Sequence, residues 1–209
     1  MAELLREYRA VVLSGAGIST GSGIPDYRGP SSAQRPRRPI QYREFRDQEE
    51  ARTRYWARSA VGWPWINART PNEAHAAIAA LQAEGHVDHV ITQNVDGLHQ
   101  RAGSKGVLEL HGTLAEVMCL DCGVADSRSD FQERILELNP QWETLSAEIA
   151  PDGDAELPRE VTESFVVPPC RSCGGVLKPN VVFFGESVPK DRVATAWEWV
   201  SEAEMILVV

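Results

Sequence analysis

Residues 8–19 read YRAVVLSGAGIS. A short apolar run with no polar alternation marks a strand buried on both faces, and this one passes through Ser14 straight into Gly15-Ala16-Gly17. Strand, glycine turn and helix start are expected here. Working outward, similar apolar runs recur at 87–92, 107–110, 181–184 and 205–209, and helical patterns lie between them at 44–59, 73–84 and 190–203. Pro71-Asn72 is a start signal for the second of these helices. The alternation predicts an α/β fold, a Rossmann-like parallel sheet with helices on both faces. Between residues 114 and 178 turns, acids and prolines replace that rhythm. A small zinc-binding lobe, 114–178, is therefore expected as an insertion in a Rossmann-like domain made of 1–113 and 179–209.

The metal is argued from the cysteines, which fall as Cys119-x-x-Cys122 and Cys170-x-x-Cys173 with none left over. Four thiolates held tetrahedrally suit Zn²⁺, and Gly123 and Gly174 permit the tight turn behind each pair. Two disulfides or a redox pair are the alternatives. Disulfides need an oxidising compartment, and redox Cys-x-x-Cys motifs come singly. Four sulfur ligands also leave no open position for substrate, so the expected zinc is structural rather than catalytic.

Charge and hydropathy exclude other classes. Lys and Arg number 21 against 30 Asp and Glu, a net charge of −9, which opposes direct nucleic-acid binding because phosphate neutralisation needs a basic surface. No apolar run approaches the roughly 18 residues of a membrane span. The opening MAELLREYRA has neither a signal core nor an Arg-rich, acid-poor transit pattern, so a cytoplasmic protein with no membrane partner is expected.

Alone, Gly15, Ala16 and Gly17 are a weak signal. Their amides and a helix start could cradle a pyrophosphate, yet the usual third glycine is Thr20, and a plain tight turn reads as well. The surrounding blocks are more specific. GAGISTGSGIPDYRGP at 15–30, TQNVDGLHQRAG at 92–103, ELHG at 109–112 and KPNVVFFGE at 178–186 resemble the sirtuins, as do the cysteine pairs, in the same order over nearly the whole chain. The YWAR stretch at Tyr55, the long spacer between the cysteine pairs and APDGD at 150–154 most resemble the class II branch.

That resemblance implies an NAD-dependent protein lysine deacylase, in which NAD and an acylated-lysine peptide meet between the Rossmann domain and the zinc lobe. The substrate amide oxygen displaces nicotinamide, and a ribose hydroxyl must then be deprotonated. His111 matches the family's base; imidazole suits the task because it ordinarily titrates near about 6.5. Outside this context a histidine in that place would merely cap a strand. Gln93 and Asn94 are implied to approach the ribose, Asn94 with a catalytic part, and Asp96 to bond the nicotinamide carboxamide. The same string also fits an ordinary Asn/Asp turn. Val95 stands where isoleucine is common in the family. Ser19 and Thr20 continue the cofactor loop, and Asp26, Tyr27 and Arg28 match the family's PDFR segment. There a flat ring could shield the ribosyl centre and a guanidinium could pair with phosphate, although packing and a surface ion pair are the bland alternatives.

Tyr55 and Arg58 share a helix face at the spacing that a desuccinylating branch uses to bind an acidic acyl group, a spacing that a solvated face produces equally well. Val182, Phe183 and Gly185 match the stretch that pairs with substrate backbone as an added strand; a core strand over 181–184 is the other possibility. One departure stands out. Sirtuins continue with a ribose loop, another strand end and a final helix, whereas this chain closes at Ile206-Leu207-Val208-Val209. The C-terminal, adenine side of the NAD domain is therefore expected to be missing, with NAD affinity in question. Protein mono-ADP-ribosylation and a non-catalytic NAD and zinc binding module are the competing functions.

Overall fold

The computed structural model describes residues 4–26, 39–145, 147, 155 and 157–209. Its α-helices are α1 (Leu4–Glu7), α2 (Tyr42–Asp47), α3 (Glu49–Asn67), α4 (Glu73–Ala83), α5 (Leu98–Arg101), α6 (Arg128–Leu138), α7 (Arg159–Thr162) and α8 (Lys190–Glu202). The strands are β1 (Ala10–Ser14), β2 (Val87–Thr92), β3 (Val107–Glu109), β4 (Gly112–Cys119), β5 (Ala125–Ser127), β6 (Leu177–Val181) and β7 (Met205–Val208). Two compact units result: Met1–Ser31 with Arg69–Gly112 and Ser187–Val209, and Ser32–Ala68 with Thr113–Glu186.

In the first unit the sheet order is β3-β2-β1-β7 and every pair is parallel. Ala10 and Val12 are wholly buried, which is why β1 reads as a continuous apolar run, and Val90 of β2 is buried against them. Helix α4 begins where Asn72 accepts hydrogen bonds from the amides of Ala74 and His75, and His75 reciprocates, an imidazole taking the place that Glu or Gln usually holds in a capping box. Ile78 and Leu81 of this helix then pack on Val87 and Val90. Because β2 and β3 lie on one side of β1 and β7 on the other, strand order reverses beside β1. Such a switch point is where an open α/β sheet collects ligands, outside the carboxyl ends of its strands.

The second unit corrects the expected boundaries of the lobe. It takes in residues 32–68 and 179–186 as well as 113–178, because α3 carries buried residues on several faces and needs cover. Trp56 is wholly buried and donates its indole N–H to the Leu177 carbonyl at 3.1 Å, while Trp142 donates to that of Ala57 at 3.1 Å. The buried Arg128 guanidinium lies 4.7 Å from the Trp63 ring centroid and 5.5 Å from that of Trp56, with Gln132 Oε1 at 2.7 Å. Cation–π contacts and hydrogen bonds together offset the desolvation of that charge. None of these partners adjoins α3 in sequence.

Two further expectations change. The helix expected at 44–59 is two helices, broken at the extended Gln48, and α3 runs on through Pro64. The strand expected at 181–184 is instead β6, and it belongs to a three-stranded sheet of order β5-β4-β6 in the second unit, not to the parallel sheet. Pro179 within it is tolerated because β6 lies at an edge. Within the same strand Lys178, only 2% exposed, reaches the carbonyls of Pro179 and Val181 and sits 3.2 Å from Glu186 Oε2. An ammonium in that position is costly unless so surrounded, and the Glu186 contact ties β6 to the loop that follows it.

Candidate active site

The turn after β1 is open. A Cβ built on Gly15 or Gly17 would meet nothing within 4 Å, so side-chain crowding is not what requires glycine there. Gly15 is extended, with φ −134° and ψ −169°, and the helix expected to start there is a 3-10 helix over Ala16–Ser22. Thr20, in place of a third glycine, donates its hydroxyl back to the Gly17 carbonyl at 2.8 Å. Ser19 is buried and Asp26 half-buried. Tyr27 and Arg28 lie outside the described residues, as does the 150–154 stretch.

The loop after β2 folds back onto that turn. Asn94 donates through Nδ2 to the Gly15 carbonyl at 3.0 Å and to Ser19 Oγ at 3.1 Å, and Ser19 donates to Asp96 Oδ2 at 2.7 Å. The other carboxylate oxygen of Asp96 accepts the Leu98 amide at 3.0 Å, across Gly97 at φ 68°. Side chains from both sequence blocks thus form one network at the carboxyl ends of adjacent strands. Gln93 is exposed and Val95 half-buried beside it.

His111 follows β3, and its Nδ1 lies 3.0 Å from the Gln93 carbonyl oxygen. A carbonyl can only accept, so Nδ1 carries the proton and a neutral ring keeps its lone pair on Nε2. Orienting one nitrogen against a backbone carbonyl is how a neutral imidazole is held ready as a base. Sequence reading passed over the supports of this network. His75 and His99 are both buried, their rings 4.9 Å apart, and Ser14 Oγ lies 2.8 Å from His99 Nε2. Histidines on apolar helix faces look like core residues, and only the fold brings these two together.

In the second unit, Tyr55 is 8% exposed and packs edge-on against Phe45, Trp56 and Phe183. Arg58, one turn on and half-buried, donates Nε to the Ala155 carbonyl at 2.8 Å. Val182 is half-buried, Phe183 buried and Gly185 exposed at φ 78°, where a Cβ would come within 3.3 Å of Gln41 Oε1. The Phe183 amide donates to Glu186 at 2.9 Å, so this stretch is a shaped loop more than an extended strand.

The four cysteines converge. Their sulfurs all lie within 4.8 Å of one another, with Cys119 to Cys173 at 3.5 Å and Cys122 to Cys170 at 3.8 Å. Sulfurs bound tetrahedrally to zinc at about 2.3 Å would stand about 3.8 Å apart, whereas a disulfide needs about 2.05 Å. All four are free thiols. The two knuckles repeat one turn: Gly123 N–H donates to the Cys119 carbonyl at 3.0 Å with φ 73°, and Gly174 N–H to that of Cys170 at 2.9 Å with φ 77°. Backbone N–H groups of Ser172 and Cys173 hold the Cys170 thiol down at about 7. The donor set and spacing fit one structural Zn²⁺.

No helix among the described residues is long and apolar enough to cross a membrane. The model of the Sir2 family matches residues 15–209. NAD-dependent protein deacetylase 1 of Streptomyces coelicolor is 51% identical over 209 residues, covering 100% of this chain and 70% of that protein. NAD-dependent protein deacetylase 2 of Bradyrhizobium diazoefficiens is 48% identical over 204 residues, covering 98% and 75% respectively. A solved structure of Sir2 with a p53 peptide and NAD+ superposes with a TM-score of 0.72 at 35% identity, covering 99% of this chain and 72% of that one. The parallel sheet with its glycine turn, the histidine beside it and the four-cysteine knuckle are thus found together in a chain that belongs to the Sir2 family.

Proposed function

We propose that this chain is an NAD-dependent protein lysine deacylase that moves the acyl group from lysine to ADP-ribose and releases nicotinamide. The observation that carries the reading is the His111 geometry, an imidazole whose Nδ1–H is committed to Gln93 and whose Nε2 is left basic beside the Asn94 network. When bound, NAD supplies both the nicotinamide leaving group and the ribose that accepts the acyl group. The amides of Ala16 and Gly17 would hold its pyrophosphate at the Gly15 turn, the Gly15 amide itself being bonded to the Val209 carbonyl at 3.2 Å, with Ser19, Thr20, Asp26, Tyr27 and Arg28 completing the cofactor loop. Asn94 and Gln93 orient the ribose, and Asp96 accepts from the carboxamide through lone pairs that Ser19 and Leu98 leave available. His111 Nε2 takes the proton of the ribose hydroxyl. Val182, Phe183 and Gly185 hold the acyl-lysine peptide by its backbone, and the zinc on Cys119, Cys122, Cys170 and Cys173 is structural. Four cysteines kept as metal ligands rather than disulfides suit a reducing compartment, and we assign the cytoplasm.

An acyl-lysine peptide incubated with NAD and followed by mass spectrometry should release nicotinamide in step with acyl-ADP-ribose. A peptide that keeps its acyl group and gains the mass of ADP-ribose would show mono-ADP-ribosylation instead. Unchanged reactants in the presence of measured NAD binding would mark a binding module.

An acidic acyl group fits the Tyr55–Arg58 pair, since the Ala155 bond fixes the guanidinium plane and the aromatic cluster fixes the phenol ring. Losing a charge-assisted bond costs about 1.5–3 kcal/mol, so Arg58→Met should cut turnover of succinyl or glutaryl peptides about tenfold or more. Acetyl peptide turnover should hardly move, and an equal loss on both would sink the receptor role.

A further inference from the structure

His75 and His99 are the most deeply buried titratable groups of the first unit, and the proposed chemistry does not use them. Each has a ring nitrogen, His75 Nε2 and His99 Nδ1, that finds no hydrogen-bond partner among the described residues. A buried polar atom left so is expensive, on the order of 1–3 kcal/mol. The tautomers follow from the partners of the other two ring nitrogens. The Asn72 amide donates to His75 Nδ1 at 3.4 Å, so a neutral His75 carries its proton on Nε2 as a buried donor. If His99 donates Nε2–H to Ser14 Oγ at 2.8 Å, its Nδ1 is a buried acceptor. The two rings meet edge to face with centroids 4.9 Å apart, a ring contact without a hydrogen bond between those two nitrogens. Burial lowers the pKa of His75 and brings His99 down to about 4, with His75 acting on His99 in the same sense and Asp96 opposing both. Neutral rings are what the tautomer argument requires.

The ends of this chain of contacts lie on the two cofactor-facing loops. At one end the Asn72 side chain donates to the Ile18 carbonyl at 2.7 Å and to Ser22 Oγ at 3.0 Å, pinning the 3-10 turn. At the other, Ser14 closes β1, its carbonyl accepts the Gln93 amide at 3.0 Å, and the next residue, Gly15, holds Asn94. We infer that His75 and His99 are positioning residues, a neutral imidazole pair of fixed tautomer that braces the glycine turn against the Gln93–Asp96 loop from inside the fold. The inference rests on the deacylase reading for what the brace serves, but the pair itself can be tested without turnover.

Long-range proton–nitrogen NMR of the histidine rings in the whole chain should show both as neutral Nε2–H tautomers at neutral pH. A charged ring, or a proton on Nδ1 of either, would overturn the proposal. His99→Leu removes the brace; a misplacement of reacting groups by about 1 Å costs about a hundredfold, so kcat/KM for NAD should fall at least about tenfold. KM for the acyl peptide should stay within about twofold, and His99→Gln, which keeps a donor for Ser14, should recover most of the loss, since a conserved bond is worth about tenfold. Unchanged NAD kinetics in His99→Leu, or a loss shared equally with the peptide KM, would leave the pair a core contact only. Should His99→Leu fail to fold, Ser14→Ala tests the same link with the same two outcomes. Failure of the deacylase reading is distinguishable, because wild-type protein would then release no nicotinamide while the ring signals still report the pair.

Discussion

His111→Ala is expected to lower acyl transfer by about a hundred- to ten-thousandfold, the range that a positioned general base contributes. The size follows from what the ring does. Nδ1 is engaged by the Gln93 carbonyl, so Nε2 is the available base, and alanine offers neither a proton acceptor nor a volume that excludes water. Stability should change little, because His111 is only half-buried in the turn between β3 and β4. The loss should also be selective by step. Nicotinamide leaves before the ribose hydroxyl needs its base, so exchange of labelled nicotinamide into NAD should survive better than acyl transfer. Steady-state rates and exchange rates on one preparation make the comparison. A fall of less than about tenfold in acyl transfer would remove His111 from the role of base.

What the sequence disclosed, and what it did not, divides along the range of the interactions. Strand β1 is buried along both faces and leaves a continuous apolar run, and the short apolar stretches of β2, β3 and β7 could also be read from adjacent residues, although Ile206 and Val208 of β7 are exposed. The cysteine knuckles were as plain, since two residues of spacing and one glycine define each turn. The partition of the chain was not legible. Whether 44–59 covers the sheet or the lobe depends on Trp56 meeting Phe131 and Leu177, more than seventy positions away, and no local pattern states that. Nor does the sequence mark Lys178 as buried, which the carbonyls of Pro179 and Val181 and the carboxylate of Glu186 allow. Among the site residues, Asn94, Asp96 and Ser19 were singled out from separate strings, and their hydrogen bonds to one another appear only in the fold. Ser14, His75 and His99 carried no readable mark, because what distinguishes them is their mutual contact.

Removing zinc should have the second large effect, on the fold of the second unit rather than on any chemical step. Structural zinc supplies roughly 10–16 kcal/mol in small domains, as much as the whole stability of about 5–15 kcal/mol that a folded domain possesses. The knuckles are not peripheral here. Cys119 and Cys170 belong to the same buried cluster as Trp56, Phe131 and Trp142, so sulfurs that separate pull on the aromatic core. Without metal the four sulfurs cannot all ionise at 3.5 to 4.8 Å: Cys170 titrates at about 7, and Cys173 is pushed up to about 12 by the neighbouring thiols Cys122 and Cys119 although the Gly175 amide acts against the rise. Zinc resolves that conflict by replacing protons, which also makes its affinity fall as pH falls. A strong chelator should therefore release one zinc per chain and change the fluorescence of the buried Trp56 and Trp142, and Cys170→Ser should yield protein with little zinc and no cooperative melting of that unit. The β1–β2–β3–β7 sheet contains no cysteine and should keep its amide exchange protection longer. Protein that melts at the same temperature with and without metal, or that carries no zinc when purified in its presence, would defeat the assignment.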